Sequence, residues 1–204
     1  MDKIQFSTQD ELYLLGDYID RGPNSKGVID LIWKMQAEGY FVKCLRGNHE
    51  QILLDLINAP NHFSHRGDEQ LLASFGVYHA RYIPQAYLKW CDQLPYFFEV
   101  DNYLLVHAGF DFNTDEPLRE IHAMMWIRNW RADIDRRWLK GRIVVNGHTP
   151  TPRPAIELYL ETITSTPQLV IDNGCVFHGR RAGLGALCAF ELTSKTLYFE
   201  EYIG

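Results

Sequence analysis

The heptad Gly16–Gly22 brings three chemically active side chains close together: Asp17, Asp20 and Arg21. It follows directly on the apolar run 12–15, which is typical of a buried strand, so Asp17 would stand at the carboxyl end of that strand. Carboxylates bind hard cations and a guanidinium binds phosphate, so this spacing predicts a metal-assisted phosphate site. One such heptad can arise by chance, and its interpretation depends on the other strand ends.

Polar side chains follow three later apolar runs in the same way. They are Asn48 with His49, then His107, and then His148. Because the carboxyl ends of parallel strands converge in space, ligands for one metal need not be near in sequence. A mixed set of carboxylate, carboxamide and imidazole groups suits manganese, iron or zinc better than calcium. The repeated pattern predicts a single metal site.

These segments, in this order, resemble motifs two to five of the calcineurin-like metallophosphoesterases: Gly16–Gly22, Gly47–Glu50, His107–Gly109 and Gly147–Thr149. Within that superfamily they look most like the PPP-type serine/threonine protein phosphatases. The bacterial and bacteriophage branch, with its symmetrical diadenosine tetraphosphatases, is most similar. The resemblance implies an α/β fold, a metallophosphoesterase-type two-sheet β-sandwich flanked by helices, here with the N-terminal strand missing.

The resemblance also implies a set of metal ligands. Asp17 resembles the carboxylate that bridges the two metals of the family, and Asn48, His107 and His148 resemble the other ligands of the second metal. The expected cofactor is a divalent transition metal, with manganese favoured over iron or zinc. A water bound to such a metal becomes hydroxide near neutral pH and attacks phosphorus in line with the leaving group.

Four further residues resemble the catalytic and phosphate-binding groups of the family. His49 is similar to the proton donor to the leaving oxygen, and Asp20 to the carboxylate that orients and charges it. Arg21 resembles one arm of a phosphate clamp, which would offset charge developing on the phosphoryl oxygens. Arg128 is a candidate second arm, with an exposed ion-pairing role as the alternative. Other arginines near it are Arg119, Arg131 and Arg136.

The first motif of the family, Gly-Asp-x-His-Gly, is not found in residues 1–15. In the family it supplies an Asp and a His to the first metal, so one bound metal rather than two is expected here. Three interpretations stay open. The natural protein starts upstream of Met1, or a short form is inactive or feeble, or another chain fills the gap through swapping or strand addition.

Hydrophobic periodicity predicts one domain spanning 1–204, which opens as strand, helix, strand, helix in a parallel arrangement. The first helix starts at Asn24 or Ser25. Its predicted apolar face consists of Val28, Leu31, Ile32 and Met35. Residues 58–67 are predicted to be a loop. The pattern then predicts helices around 68–75 and 84–93, a hairpin over 96–106, a mostly helical stretch at 114–140 and a strand at 142–145. Further strands are predicted at Ala155–Glu161, 168–171, 185–192 and 196–202.

Composition restricts the class of partner and the compartment. A net charge of −6 argues against a general nucleic-acid-binding protein but permits an anionic substrate in a locally positive pocket. The four scattered cysteines, three of them in apolar runs, favour reduced thiols in the cytoplasm. The sequence shows no secretory signal and no apolar run long enough to span a bilayer.

The function predicted from the resemblance is hydrolysis of phosphate esters, of the kind that serine/threonine phosphatases carry out on phosphorylated proteins or peptides. Two alternatives stay open. The same site could cleave diadenosine tetraphosphate or another pyrophosphate. Without the first motif, the chain could instead be an inactive module that keeps a phosphate pocket.

Overall fold

The structure is a computed structural model that describes residues 4–58 and 68–202. The loop predicted at 58–67 therefore lies outside the described residues from position 59 onward. Contacts divide the chain into two compact units. The N-terminal unit is Gln5–Pro95, and the C-terminal unit is Tyr96–Gly204 together with Met1–Ile4. That the whole chain forms one domain stays a prediction.

The N-terminal unit opens with the predicted βαβ arrangement. Strand β1 (Glu11–Leu14) and strand β2 (Phe41–Cys44) pair in parallel, and helix α1 (Ser25–Ala37) connects them. Asn24 caps α1, since its side chain accepts a hydrogen bond from the backbone N–H of Gly27 at 2.9 Å. Three more helices follow and complete an apolar core: α2 (Asn48–Asn58), α3 (Asp68–Ser74) and α4 (Gln85–Gln93).

The buried face of α1 agrees with the prediction only in part. Ile32 is buried and Met35 packs against the core, as predicted. Ile29 is buried as well, whereas Val28 is exposed and Leu31 is 56% exposed. Two apolar stripes overlap on this helix, and sequence periodicity alone does not choose between them. The stripe that includes Trp33 faces the core, where the indole of Trp33 packs against the ring of Tyr87 on α4, with centroids 4.7 Å apart.

The C-terminal unit contains a four-stranded sheet in the order β3-β4-β5-β6. Its strands are β3 (Phe97–Val100), β4 (Tyr103–Val106), β5 (Ile143–Asn146) and β6 (Gln168–Val170). β3 and β4 form the predicted antiparallel hairpin, whereas β4, β5 and β6 run parallel. A second hairpin, β7 (Ala186–Glu191) with β8 (Thr196–Glu201), shares a core with β5 and β6.

The segment 114–140 is helical only in short pieces, which include α5 (Ile121–Trp126) and α6 (Arg136–Leu139). The predicted strand at Ala155–Glu161 is wrong, because the segment Arg153–Glu161 forms helix α7. Apolar residues recur there at every second position, which suggested a strand. The residues that face the core, however, follow helical spacing: Ile156 is fully buried, Tyr159 and Leu160 pack against the same core, and Leu158 is 52% exposed.

The described residues thus form a mixed α/β fold, as predicted, with eight strands in three hydrogen-bonded sheets. None of the helices in residues 4–58 and 68–202 has the length and apolarity that a membrane crossing requires.

Candidate active site

The turn after β1 holds its polar side chains on an unusual backbone. Gly16 has φ 104°, and Asp17, Asp20 and Arg21 have φ 60°, 70° and 58°. Residues other than glycine rarely adopt this left-handed region, because Cβ then crowds the following carbonyl. Such strain persists only where surrounding contacts over-determine it, and it concentrates at functional sites.

Asp20 and His49 form a close pair within the N-terminal unit. Asp20 Oδ2 lies 2.8 Å from Nδ1 of His49, and the imidazole is buried. Burial lowers the pKa of His49, but the hydrogen bond to Asp20 and the charge of Asp17 outweigh it, so that this pKa is raised. The hydrogen bond from His49 in turn lowers the pKa of Asp20. The pair therefore favours a protonated imidazole that is ready to donate.

Asp17 lies beside the same imidazole. Its Oδ1 accepts the backbone N–H of His49 at 3.2 Å, and its Oδ2 lies 3.9 Å from Nε2 of His49. Asn48, which precedes His49 in the sequence and is the first residue of α2, is also buried. Gly47 gives the carboxylate room: a Cβ there would lie 2.2 Å from Asp17 Oδ1 and 2.5 Å from Asp17 N.

Glu50 is a residue of this region for which no role is predicted from the sequence. It is fully buried, and its carboxylate accepts three backbone N–H groups, from Asp17 and Gly47 at 2.9 Å and from Tyr18 at 2.8 Å. Burial, together with the charge of Asp17, raises its pKa to about 7, although the three N–H donors oppose that shift. The signals available for it in the sequence are its place at the end of the segment Gly47–Glu50 and an acidic residue in the first turn of a predicted helix.

Tyr18 fixes the same turn to both strands. Its hydroxyl lies 2.9 Å from the carbonyl oxygens of Leu14 and Leu45, and it accepts the N–H of Gly16 at 3.1 Å. Glu50 and Tyr18 together anchor the backbone that presents Asp17.

The C-terminal unit brings two of the predicted ligands together. β4 and β5 pair in parallel with Val106 opposite Asn146, so the residues after them leave the sheet at the same edge. Nε2 of His107 lies 3.2 Å from Nδ1 of His148, and the backbone N–H of Gly147 donates to the carbonyl of His107 at 2.8 Å. His148 also has a left-handed backbone, with φ 66°.

The spacing of these two nitrogens fits a shared metal ion. Imidazole nitrogens bind zinc-like ions at about 2.0–2.1 Å, so two tetrahedral ligands stand roughly 3.3 Å apart. Imidazole nitrogens are donors that manganese, iron or zinc accepts.

Arg128 is placed beside the His148 turn. It is exposed, and its Nη1 lies 3.4 Å from Oγ1 of Thr149. Arg119 instead forms an ion pair with Glu116 at 2.9 Å. Arg131 stacks on the ring of Tyr159 and donates to the backbone and side-chain oxygens of Gln168. Arg21 is exposed on the N-terminal unit, where its backbone N–H donates to Asp20 Oδ1 at 2.7 Å.

Comparison with known proteins identifies the family. Residues 1–179 match the calcineurin-like phosphoesterase family. Serine/threonine-protein phosphatase 1 of Salmonella typhimurium is 28% identical over 195 residues, which cover 84% of this chain and 76% of that protein. The asymmetrical bis(5'-nucleosyl)-tetraphosphatase PrpE of Bacillus cereus is 25% identical over 193 residues, covering 86% of this chain and 75% of that protein.

A crystal structure of a protein provisionally assigned as a diadenosine tetraphosphatase has the same fold. It superposes with a TM-score of 0.63 at 18% identity, over 97% of this chain and 83% of that one. Since the family match extends over most of the sequence, this chain belongs to the calcineurin-like phosphoesterase family of metal-dependent hydrolases.

Proposed function

We propose that this enzyme hydrolyses phosphoserine and phosphothreonine in phosphorylated proteins or peptides. The Asp20–His49 pair is the observation that carries the proposal, since the two side chains are 2.8 Å apart. The leaving group of such a substrate is an alkoxide, which departs slowly unless it is protonated. An imidazolium held by a carboxylate donates that proton as a general acid.

We propose a divalent transition metal, preferably manganese, as the cofactor, with Asp17, Asn48, His107 and His148 as its ligands. The donor chemistry of these residues and the 3.2 Å spacing of the two imidazole nitrogens support this assignment. When bound, such a metal lowers the pKa of a water molecule and so supplies the nucleophile at neutral pH.

Arg21 and Arg128 are the proposed phosphate clamp. Both are exposed, and a guanidinium presents two parallel N–H donors that match two oxygens of a phosphoryl group. Their charges would offset the negative charge that grows on these oxygens as the ester bond breaks.

The four free cysteines support a cytoplasmic location, because thiols stay reduced there.

The substitution Asp20→Asn tests the role of His49 as a general acid, because it removes the carboxylate that holds the imidazolium. With added Mn²⁺, we expect kcat on a phosphoserine peptide to fall about 10²–10⁴-fold, which is the usual contribution of general acid catalysis. The same variant should lose little on p-nitrophenyl phosphate, whose nitrophenolate leaves without protonation. Asp55→Asn, an exposed carboxylate on α2, is the matched control. Equal losses on both substrates would contradict the acid role of His49.

Hydrolysis of dinucleoside polyphosphates is the second candidate function. The similarity to PrpE and to the solved structure described above favours it. Comparing kcat/KM for a phosphopeptide, p-nitrophenyl phosphate and diadenosine tetraphosphate with Mn²⁺ distinguishes the two. A preference for the dinucleotide would replace the phosphatase proposal. Phosphate binding with no turnover of any of the three would instead indicate an inactive phosphate-binding module.

A further inference from the structure

A chain of buried amide groups lies directly behind the His107 and His148 turns. Asn146, the last residue of β5, is 2% exposed, and Gln168, the first residue of β6, is 4% exposed. Nε2 of Gln168 donates to Oδ1 of Asn146 at 3.1 Å. Two buried polar side chains in contact are costly unless every donor and acceptor has a partner.

The amide of Asn146 ties the two histidine turns together. Its Nδ2 donates to the carbonyl of Ala108 at 2.8 Å and to the carbonyl of Gly147 at 3.1 Å. Ala108 follows His107 and Gly147 precedes His148, so one side chain holds the backbone beside both imidazoles. The N–H of Gly147 completes the link by donating to the carbonyl of His107 at 2.8 Å.

Arg131, whose guanidinium can only donate hydrogen bonds, sets the orientation of the Gln168 and Asn146 amides. Nη1 of Arg131 lies 3.2 Å from Oε1 of Gln168 and 3.0 Å from its backbone oxygen. Because a guanidinium has no acceptor, Gln168 must turn Oε1 toward Arg131 and its NH₂ toward Asn146. Asn146 must then accept through Oδ1, which leaves its own NH₂ for the two turn carbonyls.

The indole of Trp130 also contacts the carbonyl of Ala108. Its Nε1 donates to the carbonyl of Ala108 at 3.1 Å, so that oxygen accepts from both the indole and Asn146. Trp130 and Arg131 lie two and three positions after Arg128 in the sequence. The network therefore reaches from β6 through both histidine turns to the segment that carries Arg128, one arm of the proposed phosphate clamp.

We propose that Asn146 and Gln168 are positioning residues that hold the two imidazole nitrogens of His107 and His148 at the spacing a shared metal requires. The amide chain, with its direction set by Arg131, performs this task through backbone carbonyls rather than by touching the metal. This inference rests on the proposed metal site. Partners behind metal ligands usually contribute about 10–100-fold in metal affinity.

The variant Asn146→Asp tests the proposal with little change in volume. The carboxylate still accepts from Gln168 but turns an oxygen toward the Ala108 and Gly147 carbonyls, which repels them. We expect Co²⁺ affinity, measured by titration of the visible absorption band, to fall about 10–100-fold, and the band itself to change shape. Gln168→Glu, which keeps the acceptor for Arg131 but loses the donor to Asn146, should act in the same direction.

Val144→Ala controls for general destabilisation. Val144 lies on the same strand β5 and is fully buried, and its side chain offers no hydrogen bond to the network. We expect this variant to lower Tm while it keeps both the Co²⁺ affinity and the absorption band of the wild type. Circular dichroism and Tm for all three variants show which of them fold.

The possible outcomes separate this inference from the proposed function. If wild-type protein binds no Co²⁺, the proposed metal site is wrong and the positioning role falls with it. If the wild type binds and both amide variants bind equally well, only the positioning role is wrong. If Val144→Ala loses as much affinity as Asn146→Asp at a similar Tm, the effect is merely structural and the positioning role is again overturned.

Discussion

At the scale of single residues, Gly47 illustrates how closely the backbone approaches the proposed ligand Asp17. A side chain at position 47 would overlap both the carboxylate and the backbone nitrogen of Asp17, and it would also lie 2.9 Å from Oε2 of Glu50. The residue is therefore glycine because of its neighbours, not because of its own φ. Any larger residue must displace the group that the site depends on.

We predict that Gly47→Ala lowers kcat/KM by about 10²-fold, because misplacement of a site group by roughly 1 Å costs that much. Mn²⁺ affinity should fall with it. Steady-state kinetics and a metal titration measure both quantities.

Gly22→Ala is the matched control for Gly47→Ala, since a Cβ there would meet only the carbonyl of Asp20 at 3.8 Å. It should leave both quantities near those of the wild type. Unchanged activity in Gly47→Ala would show that the turn can move without harm.

The sequence predicts the polar groups at the strand ends but not the residues that support them. Asp17, His49 and His107 were identified because each follows an apolar run, a local pattern that can be read along the chain. The roles of Glu50 and Gln168 depend on contacts with groups 33 and 22 positions away. No local pattern encodes such contacts, and a buried Gln resembles any other polar residue until its partners are known.

At the scale of elements, α7 shows why periodicity can mislead over a short segment. Ile156, Leu158 and Leu160 alternate with other residues as in a strand, but helical spacing places Ile156 and Leu158 on opposite sides. Pro154 lies in the first turn, where proline is compatible with a helix. The strands β1, β2, β4 and β5 were easier to predict, because turn residues bound each apolar run.

We predict that Ile156→Ala lowers the free energy of unfolding by about 2–5 kcal/mol, since it opens a cavity in the core. Leu158→Ala, on the exposed side of the same helix, should change it by no more than about 0.5 kcal/mol. Urea denaturation of both variants measures the difference. Equal losses would mean that the two side chains share one face, as in a strand, and would contradict the helix.

At the scale of the whole molecule, each unit has its own apolar core and its own free thiols. Burial raises the pKa of Cys44 to about 11 and that of Cys91 to about 12 in the N-terminal unit, and it raises the pKa of Cys188 to about 12 in the C-terminal unit. Cys44 and Cys91 are buried, whereas Cys175 and Cys188 are only half-buried.

These thiols predict a loss of stability at alkaline pH. Their folded pKa values lie above the unfolded value of 9.0, so their contribution is fully present below pH 9 and is lost as the pH rises toward the folded values. Each thiol should lower the free energy of unfolding by about 1.4 kcal/mol per pH unit within that window. Urea denaturation from pH 8 to 10 should give a shallower slope for Cys91→Ala than for the wild type. Identical slopes would rule out a contribution from Cys91.

The left-handed backbone at Asp20, Arg21 and His148 makes the loops of this enzyme a place where heat resistance and activity compete. Glycine adopts the same φ without the strain, which amounts to about 1 kcal/mol or more at each such position. A library selected only for survival at high temperature would therefore accumulate glycine at these positions, and the proposed proton relay, phosphate clamp and metal ligand would disappear one by one. Engineering for thermal tolerance should leave these loops unchanged and seek its gains in the helices.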